Sequence, residues 1–161
     1  MKQIQLTRGK FALVDDEDYD SLISMGKWTY QRCGYAVKFK NLGKFNGKQK
    51  NKMISMHRVI NRTPEGIGTD HIDGNKLNNQ RFNLRTATSS QNNANKPVKK
   101  HTSIYKGVHW FRKAWKATIR TKSGRVHLGY FKNEHEAAIA YNNAAIEHHG
   151  AFAWINKIVI P

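Results

Sequence analysis

Between Asp70 and Asn93 the sequence reads DHIDGNKLNNQRFNLRTATSSQNN, and this stretch constrains the fold more than any other. His71 to Asn83 is 12 positions and Asn83 to Asn92 is nine, room for a strand, a polar loop, a returning strand and the first turn of a helix. Thr88 with Gln91 three positions later is a capping-box pattern, which puts Asn92 in the first turn of a helix from Ser89 to about Asn95. A hairpin followed by a helix therefore gathers a carboxylate, an imidazole and two amides.

Those four groups suit phosphodiester cleavage, which needs an activated water, charge stabilisation at the phosphate and help for the leaving oxygen. Asp70 offers a carboxylate oxygen and Asn92 an amide oxygen, ligands for a hard cation that leaves its other octahedral positions to phosphate and water, as Mg²⁺ does. His71, with an ordinary pKa of about 6.5, is the natural general base. Asn83 is expected to bond backbone groups across the loop 74–81 and hold His71 in place. Neighbours on a strand point to opposite sides, so Asp70 and His71 converge on one phosphate only at a strand end, a twist or a bulge. Asn and Asp beside Gly are also ordinary turn residues, and on residue type alone a plain turn stays open beside the metal site.

The charge balance names the partner class. With 28 Lys and Arg against 11 Asp and Glu the formal charge is +17, and residues 74–133 hold 14 bases and no acid. Such a chain repels itself unless a polyanion offsets the charge, and 17 aromatic residues among the bases favour a folded nucleic-acid binder over a basic tail. Cys33 is the only cysteine, which excludes an internal disulfide and a Cys-rich zinc ribbon. MKQIQLTRGKFALV alternates rather than forming an apolar signal run, and no run reaches the ~18 apolar residues of a membrane span. No membrane partner is expected; the expected location is cytoplasmic, inside a bacterial or phage-infected cell.

Apolar content of 39% fits small cores better than one large one, so two small α+β domains are expected. Ile4, Leu6, Phe11 and Leu13 bracket a turn at Arg8-Gly9. The five acids in residues 15–20 need only a helix dipole as explanation, with Gly26 as the stop. Residues 28–31 and 35–39 read as a hairpin, 40–52 as a basic loop near phosphates, and 53–61 as a helix. Residues 96–103 (KPVKKHTS) read as a basic linker. Beyond it, three strands (106–112, 115–122, 125–131) precede a helix capped by Asn133 and stopped by Gly150. Alternation puts Trp115, Ala117, Ile119, Val126, Leu128 and Tyr130 on a core face, and Lys116, Thr118, Arg120, Lys122, Arg125 and His127 on a basic one. Simple solvation is the alternative account of that basic face.

HRVI at 57–60, DHIDGNKLNN at 70–79, NLR at 83–85 and QNN at 91–93 resemble the HNH nuclease motif in its phage and intron-borne homing form. The resemblance, over residues 55–95, implies a ββα-metal fold, with Asp70 and Asn92 on the metal, His71 as base and Asn83 structural. Many members carry His where Asn92 stands, and an amide oxygen favours Mg²⁺ or Mn²⁺ over Zn²⁺. Arg58, on the helix before the hairpin, is a candidate for binding phosphate, and His57 a packing residue. YKGVHW, WKATIR, GRVHLGYF and the alanine-rich helix resemble the plant APETALA/ethylene-response-factor DNA-binding domain over residues 104–156. That resemblance implies a sheet reading the major groove of double-stranded DNA through Lys106, His109, Arg120, Arg125 and His127, to which Arg112 and Lys116 add charge. The expectation is a site-specific, metal-dependent DNA endonuclease acting as a monomer, with nuclease residues 1–95, linker 96–103 and DNA-reading residues 104–161. Removing the last segment is expected to weaken site selection and spare some cleavage. The rival is a DNA-binding regulator with an inactive HNH motif.

Overall fold

Apolar residues at alternate positions build the first elements of a computed structural model that describes residues 1–98 and 102–158. Residues 99–101 of the expected linker, and 159–161 at the C-terminus, lie outside the described residues. The chain divides into two compact units, Met1–Thr88 and Ser89–Pro161. It is a mixed fold of small antiparallel sheets and few helices.

In the first unit β1 (Lys2–Gln5) pairs antiparallel with β2 (Phe11–Val14), placing Ile4 opposite Ala12 in the core. The turn between them needs left-handed backbone at Arg8 (φ 63°) and Gly9 (φ 62°). Helix α1 (Asp16–Ser24) buries Leu22, whose carbonyl accepts a 2.8 Å bond from the Trp28 indole. Next come β3 (Thr29–Tyr30), β4 (Ala36–Phe45), β5 (Lys48–Ser55) and the short α2 (Met56–Ile60). Ile4, Leu6, Val14, Leu22, Trp28, Met56, Ile60 and Leu84 form one core. Each large side chain there contributes about 1.5–3 kcal/mol on burial. Strands β6 (Gly68–His71) and β7 (Leu84–Ala87) close the unit as an antiparallel pair.

Two expectations need correction here. Residues 40–52 are not a loop: β4 and β5 form a long hairpin around Asn46-Gly47, whose φ values of 49° and 73° are those of a tight hairpin turn. Residues 53–55 belong to β5, so the helix expected over 53–61 begins only at Met56.

The second unit opens with α3 (Ser89–Ala94). Strands β8 (Val108–Phe111), β9 (Ala114–Thr121) and β10 (Gly124–Phe131) form a sheet in the order β10-β9-β8, and α4 (Glu134–His149) packs on one face. Ala137, Ala138, Ala144 and Ala145 let α4 approach the sheet closely, and Tyr141, Val108, Ala117 and Ile119 are buried with them. Asn133 caps α4 by accepting from the His135 N–H at 2.7 Å. Asn156, in the closing WIN, accepts from the Lys106 N–H and donates to the Lys106 carbonyl, tying the chain's end to the start of the sheet.

Tyr130 does not join the core. A bulge between His127 and Gly129, made at Gly129 with φ 136°, advances the register so that Phe131 turns inward opposite Trp115 and Tyr130 stands 54% exposed. Among the described residues no helix is long and apolar enough to cross a membrane.

Candidate active site

Asp70 and His71 are the last two residues of β6, and both are buried. Register fixes their surroundings: Asp70 lies opposite Arg85 and His71 opposite Leu84. Arg85 donates to Asp70 Oδ2 from Nε at 2.9 Å and Nη2 at 2.7 Å. This charge-assisted pairing holds the carboxylate in one orientation.

His71 packs on the other side of the strand's end. Its ring stands edge-on to His57 at 5.2 Å between centroids and 6.0 Å from Tyr35. Its Nε2 lies 3.3 Å from Asn79 Oδ1. Asn79 is fully buried, and its Nδ2 donates to the Leu77 carbonyl at 3.1 Å, so the amide is turned with its oxygen toward the imidazole. An oxygen there can only accept, so Nε2 carries the proton and Nδ1 the lone pair. Burial pushes the His71 pKa down and keeps the ring neutral, the form a base requires. The sequence reading missed Asn79.

The loop between the strands is cross-braced. Asn83 Oδ1 accepts from the Asp73 N–H at 3.0 Å, and Asn83 Nδ2 donates to Asp73 Oδ1 and the Asn78 carbonyl, each at 2.8 Å. Asp73 also accepts from the Asn75 N–H and from Asn78 Nδ2, each at 2.8 Å. Strand β2 stitches the loop from outside: the Leu13 N–H donates to the Leu77 carbonyl and the Asn79 N–H to the Leu13 carbonyl, each at 2.8 Å. These bonds fix where the Asn79 side chain begins.

The acids of α1 have a task beyond the helix dipole. Asp18 accepts from Arg81 Nε at 2.8 Å and Nη2 at 2.7 Å, and Asp15 accepts from the Arg81 N–H at 2.8 Å and from Gln80 Nε2 at 3.0 Å. The bond to Asp18 raises the Arg81 pKa further above its ordinary value. An acidic helix start thus anchors the segment leading to Asn83, and Arg81 itself supplies the cation among these carboxylates.

His57, on α2, is buried within 4.9 Å of the Tyr35 ring. Burial lowers its pKa to about 3. Arg58 turns its guanidinium to the carbonyls of Ile67 at 2.6 Å, Pro64 at 2.8 Å and Thr63 at 3.4 Å, closing the loop after α2. Asn92 lies on α3 in the second unit. Asp70 offers a carboxylate oxygen and Asn92 an amide oxygen, each a donor type that suits a hard divalent cation.

On the second unit's outer sheet face, register places Arg120 opposite Arg125, Thr118 opposite His127, and Lys116 opposite Tyr130 on one side and His109 on the other. Lys116 Nζ lies 5.2 Å from the Phe111 ring centre and 5.9 Å from that of Tyr130, and Arg112 lies 5.3 Å from Phe111. Like charges directly opposite destabilise a sheet, so the Arg120–Arg125 pair favours an anion above it. Lys106 is directed elsewhere: its Nζ donates to the carbonyls of Ala94 at 2.5 Å, Lys96 at 2.7 Å and Asn93 at 3.3 Å, and burial lowers its pKa to about 8.

Residues 62–94 match the HNH endonuclease family. The chain is 37% identical over 153 residues to an uncharacterised HNH endonuclease of Acanthamoeba polyphaga mimivirus, a match covering 94% of this chain and 77% of that protein. It is 38% identical over 93 residues to Protein 3.8 of Escherichia phage T7, covering 56% of this chain and 76% of that one.

Proposed function

The chain belongs to the HNH endonuclease family, and from that premise we propose that it is a sequence-specific, divalent-metal-dependent DNA endonuclease of the homing type. The observation that carries the reading is the approach of the buried His71 to Asn79, whose amide oxygen accepts the proton on Nε2 and leaves the lone pair of the neutral ring on Nδ1. His71 Nδ1 takes the proton of the attacking water. Asp70 and Asn92 would hold Mg²⁺ or Mn²⁺, which when bound would supply charge stabilisation at the scissile phosphate and at the leaving oxygen. Arg85 orients the Asp70 carboxylate, and Asn83 keeps the loop that carries Asn79 in shape.

Residues 1–95 are the cleaving part in this reading, and 104–161 an ethylene-response-factor-like part that supplies the address. His109, Lys116, Arg120, Arg125 and His127 present the basic sheet face to the major groove, with Arg112 at its rim. Lys106 and Arg58 act instead through the backbone carbonyls they hold. One site per monomer makes nicking the primary event, with a double-strand break requiring a second cut.

A nicking assay on supercoiled plasmid carrying a duplex selected by binding tests the reading. Cleavage is expected with Mg²⁺ or Mn²⁺, none with EDTA, and none from His71→Ala, which keeps its affinity for the duplex. A wild-type chain that binds its duplex and cuts it with neither metal is a regulator instead.

A further inference from the structure

The β4–β5 hairpin takes no part in the site described above, and its charge is all of one sign. From Ser21 to Pro64 the sequence has no acid. Alternation along β5 places Lys48, Lys50 and Lys52 on one face and Gln49, Asn51 and Met53 on the other. Register adds Lys40, opposite Lys52, and Phe45, opposite Lys48, to the lysine face, and pairs Lys44 with Gln49, Asn41 with Asn51 and Phe39 with Met53 on the other. Lys38 shares the lysine face, but its Nζ is taken by the Met25 carbonyl. Lys40, Lys48, Lys50 and Lys52 are exposed, and none forms an ion pair among the described residues.

We propose that this ribbon is a docking surface for double-stranded DNA, laid on the phosphate backbone through Lys40, Lys48, Lys50 and Lys52. Lysines two apart on a strand recur about every 6.8 Å, a regular row of point charges on a stiff support. The support is preformed by the Asn46-Gly47 turn and by a bulge at Gly43, φ 88°, between the pairs Asn41–Asn51 and Lys44–Gln49. Lys40 facing Lys52 costs stability in the free protein, a cost that a polyanion removes. Duplex DNA suits the surface better than a lipid headgroup layer does. The face opposite the lysines carries Lys44, Asn41, Gln49 and Asn51 beside Phe39 and Met53, and its charge and amides are expensive to bury in hydrocarbon. Lysine on phosphate positions a protein without reading sequence, so the ribbon binds independently of the target's bases. The choice of DNA as the polyanion rests on the nuclease reading.

The test compares the full chain with a variant carrying Lys40→Gln, Lys48→Gln, Lys50→Gln and Lys52→Gln. Binding to a duplex of arbitrary sequence is followed by fluorescence anisotropy in EDTA over a range of salt concentrations. Every lysine that neutralises a phosphate steepens the fall of log K with log salt by about 0.9, so the variant's slope should be shallower by about 3 to 4. The same four positions changed to Arg should keep the wild-type slope. If the glutamine variant does not fold, Lys40→Gln and Lys50→Gln singly should each make the slope shallower by about 0.9. An unchanged slope overturns the proposal while leaving the nuclease reading intact. So does wild-type binding to phosphatidylserine vesicles that is tighter than to duplex and abolished in the glutamine variant. A wild-type chain with no affinity for duplex overturns both readings together.

Discussion

His57 buries an imidazole whose Nδ1 has no hydrogen-bond partner among the described residues, and burial holds its pKa at about 3. The unfolded chain takes up that proton near its ordinary pKa of 6.5. Between the two values the unfolded state binds more protons, so His57's contribution is complete above pH 6.5 and falls as the pH drops toward 3. The slope from one such group is about 1.4 kcal/mol per pH unit. His57→Phe keeps a ring against Tyr35 and His71 but cannot titrate. Urea unfolding at about pH 7 and about pH 5 should show the variant losing less stability than the wild type, and equal losses would refute the assignment. Asn79→Ala should lower cleavage about 10- to 100-fold with duplex binding kept, because the imidazole loses the acceptor that sets its tautomer. Binding that falls in step with cleavage would make Asn79 merely structural. Asp70, His71 and Asn83 could be singled out from sequence because their chemistry is distinctive. Asn79 could not, since Asn75, Asn78 and Asn79 look alike until the stitching to β2 decides which amide turns inward. Arg81 and Arg85 lie in a stretch without acids of its own, and each is held by a carboxylate from an earlier segment of the chain.

At the scale of elements, most strands and helices follow from alternation and caps, and the exceptions have local causes. The β4–β5 hairpin hides in sequence because its exposed faces carry no apolar period, and only Asn46-Gly47 marks the turn. Tyr130 defeats simple alternation because one extra residue before Gly129 shifts the faces, something residue type alone does not announce. Gly107 has no room for a side chain. It has φ 78°, and an added Cβ would stand 2.0 Å from Tyr141 Cδ2 and 2.6 Å from the Thr118 carbonyl oxygen. Tyr141 is buried between α4 and the sheet, and the Thr118 N–H donates to the Gly107 carbonyl at 2.8 Å. Neither neighbour can give way cheaply. Gly107→Ala should therefore cost about 3 kcal/mol or more, combining overpacking with left-handed strain. Amide hydrogen exchange should show reduced protection across β8, β9, β10 and α4 while β1, β2 and α1 keep theirs. An unaltered exchange pattern would contradict the packing argument.

For the whole molecule, the division of the chain at Thr88 and Ser89 puts Asp70, His71 and Asn83 in one compact unit and Asn92 in the other. Helix α3 is only six residues long, too short to be stable by its own hydrogen bonds. Its C-terminal carbonyls have partners from farther along the chain: the Ala94 carbonyl accepts from Lys106 Nζ at 2.5 Å and from the Trp154 N–H at 3.3 Å. A fragment of residues 1–98 retains every residue of the HNH motif but neither of those donors. With Asn92 proposed as a metal ligand, the loss of those donors sets a prediction beside the expectation that removing the C-terminal segment spares some cleavage. The fragment should still unfold cooperatively, because the core from Ile4 to Leu84 lies wholly within it. Its metal-dependent nicking should fall to background, since Asn92 rides on a helix deprived of its anchor. In the full chain, Lys106→Met should lower nicking in the same direction and less completely, as the Trp154 N–H remains. A fragment that nicks as fast as the full chain would show that α3 needs no support from the sheet unit, and would return the role of residues 104–161 to site selection alone.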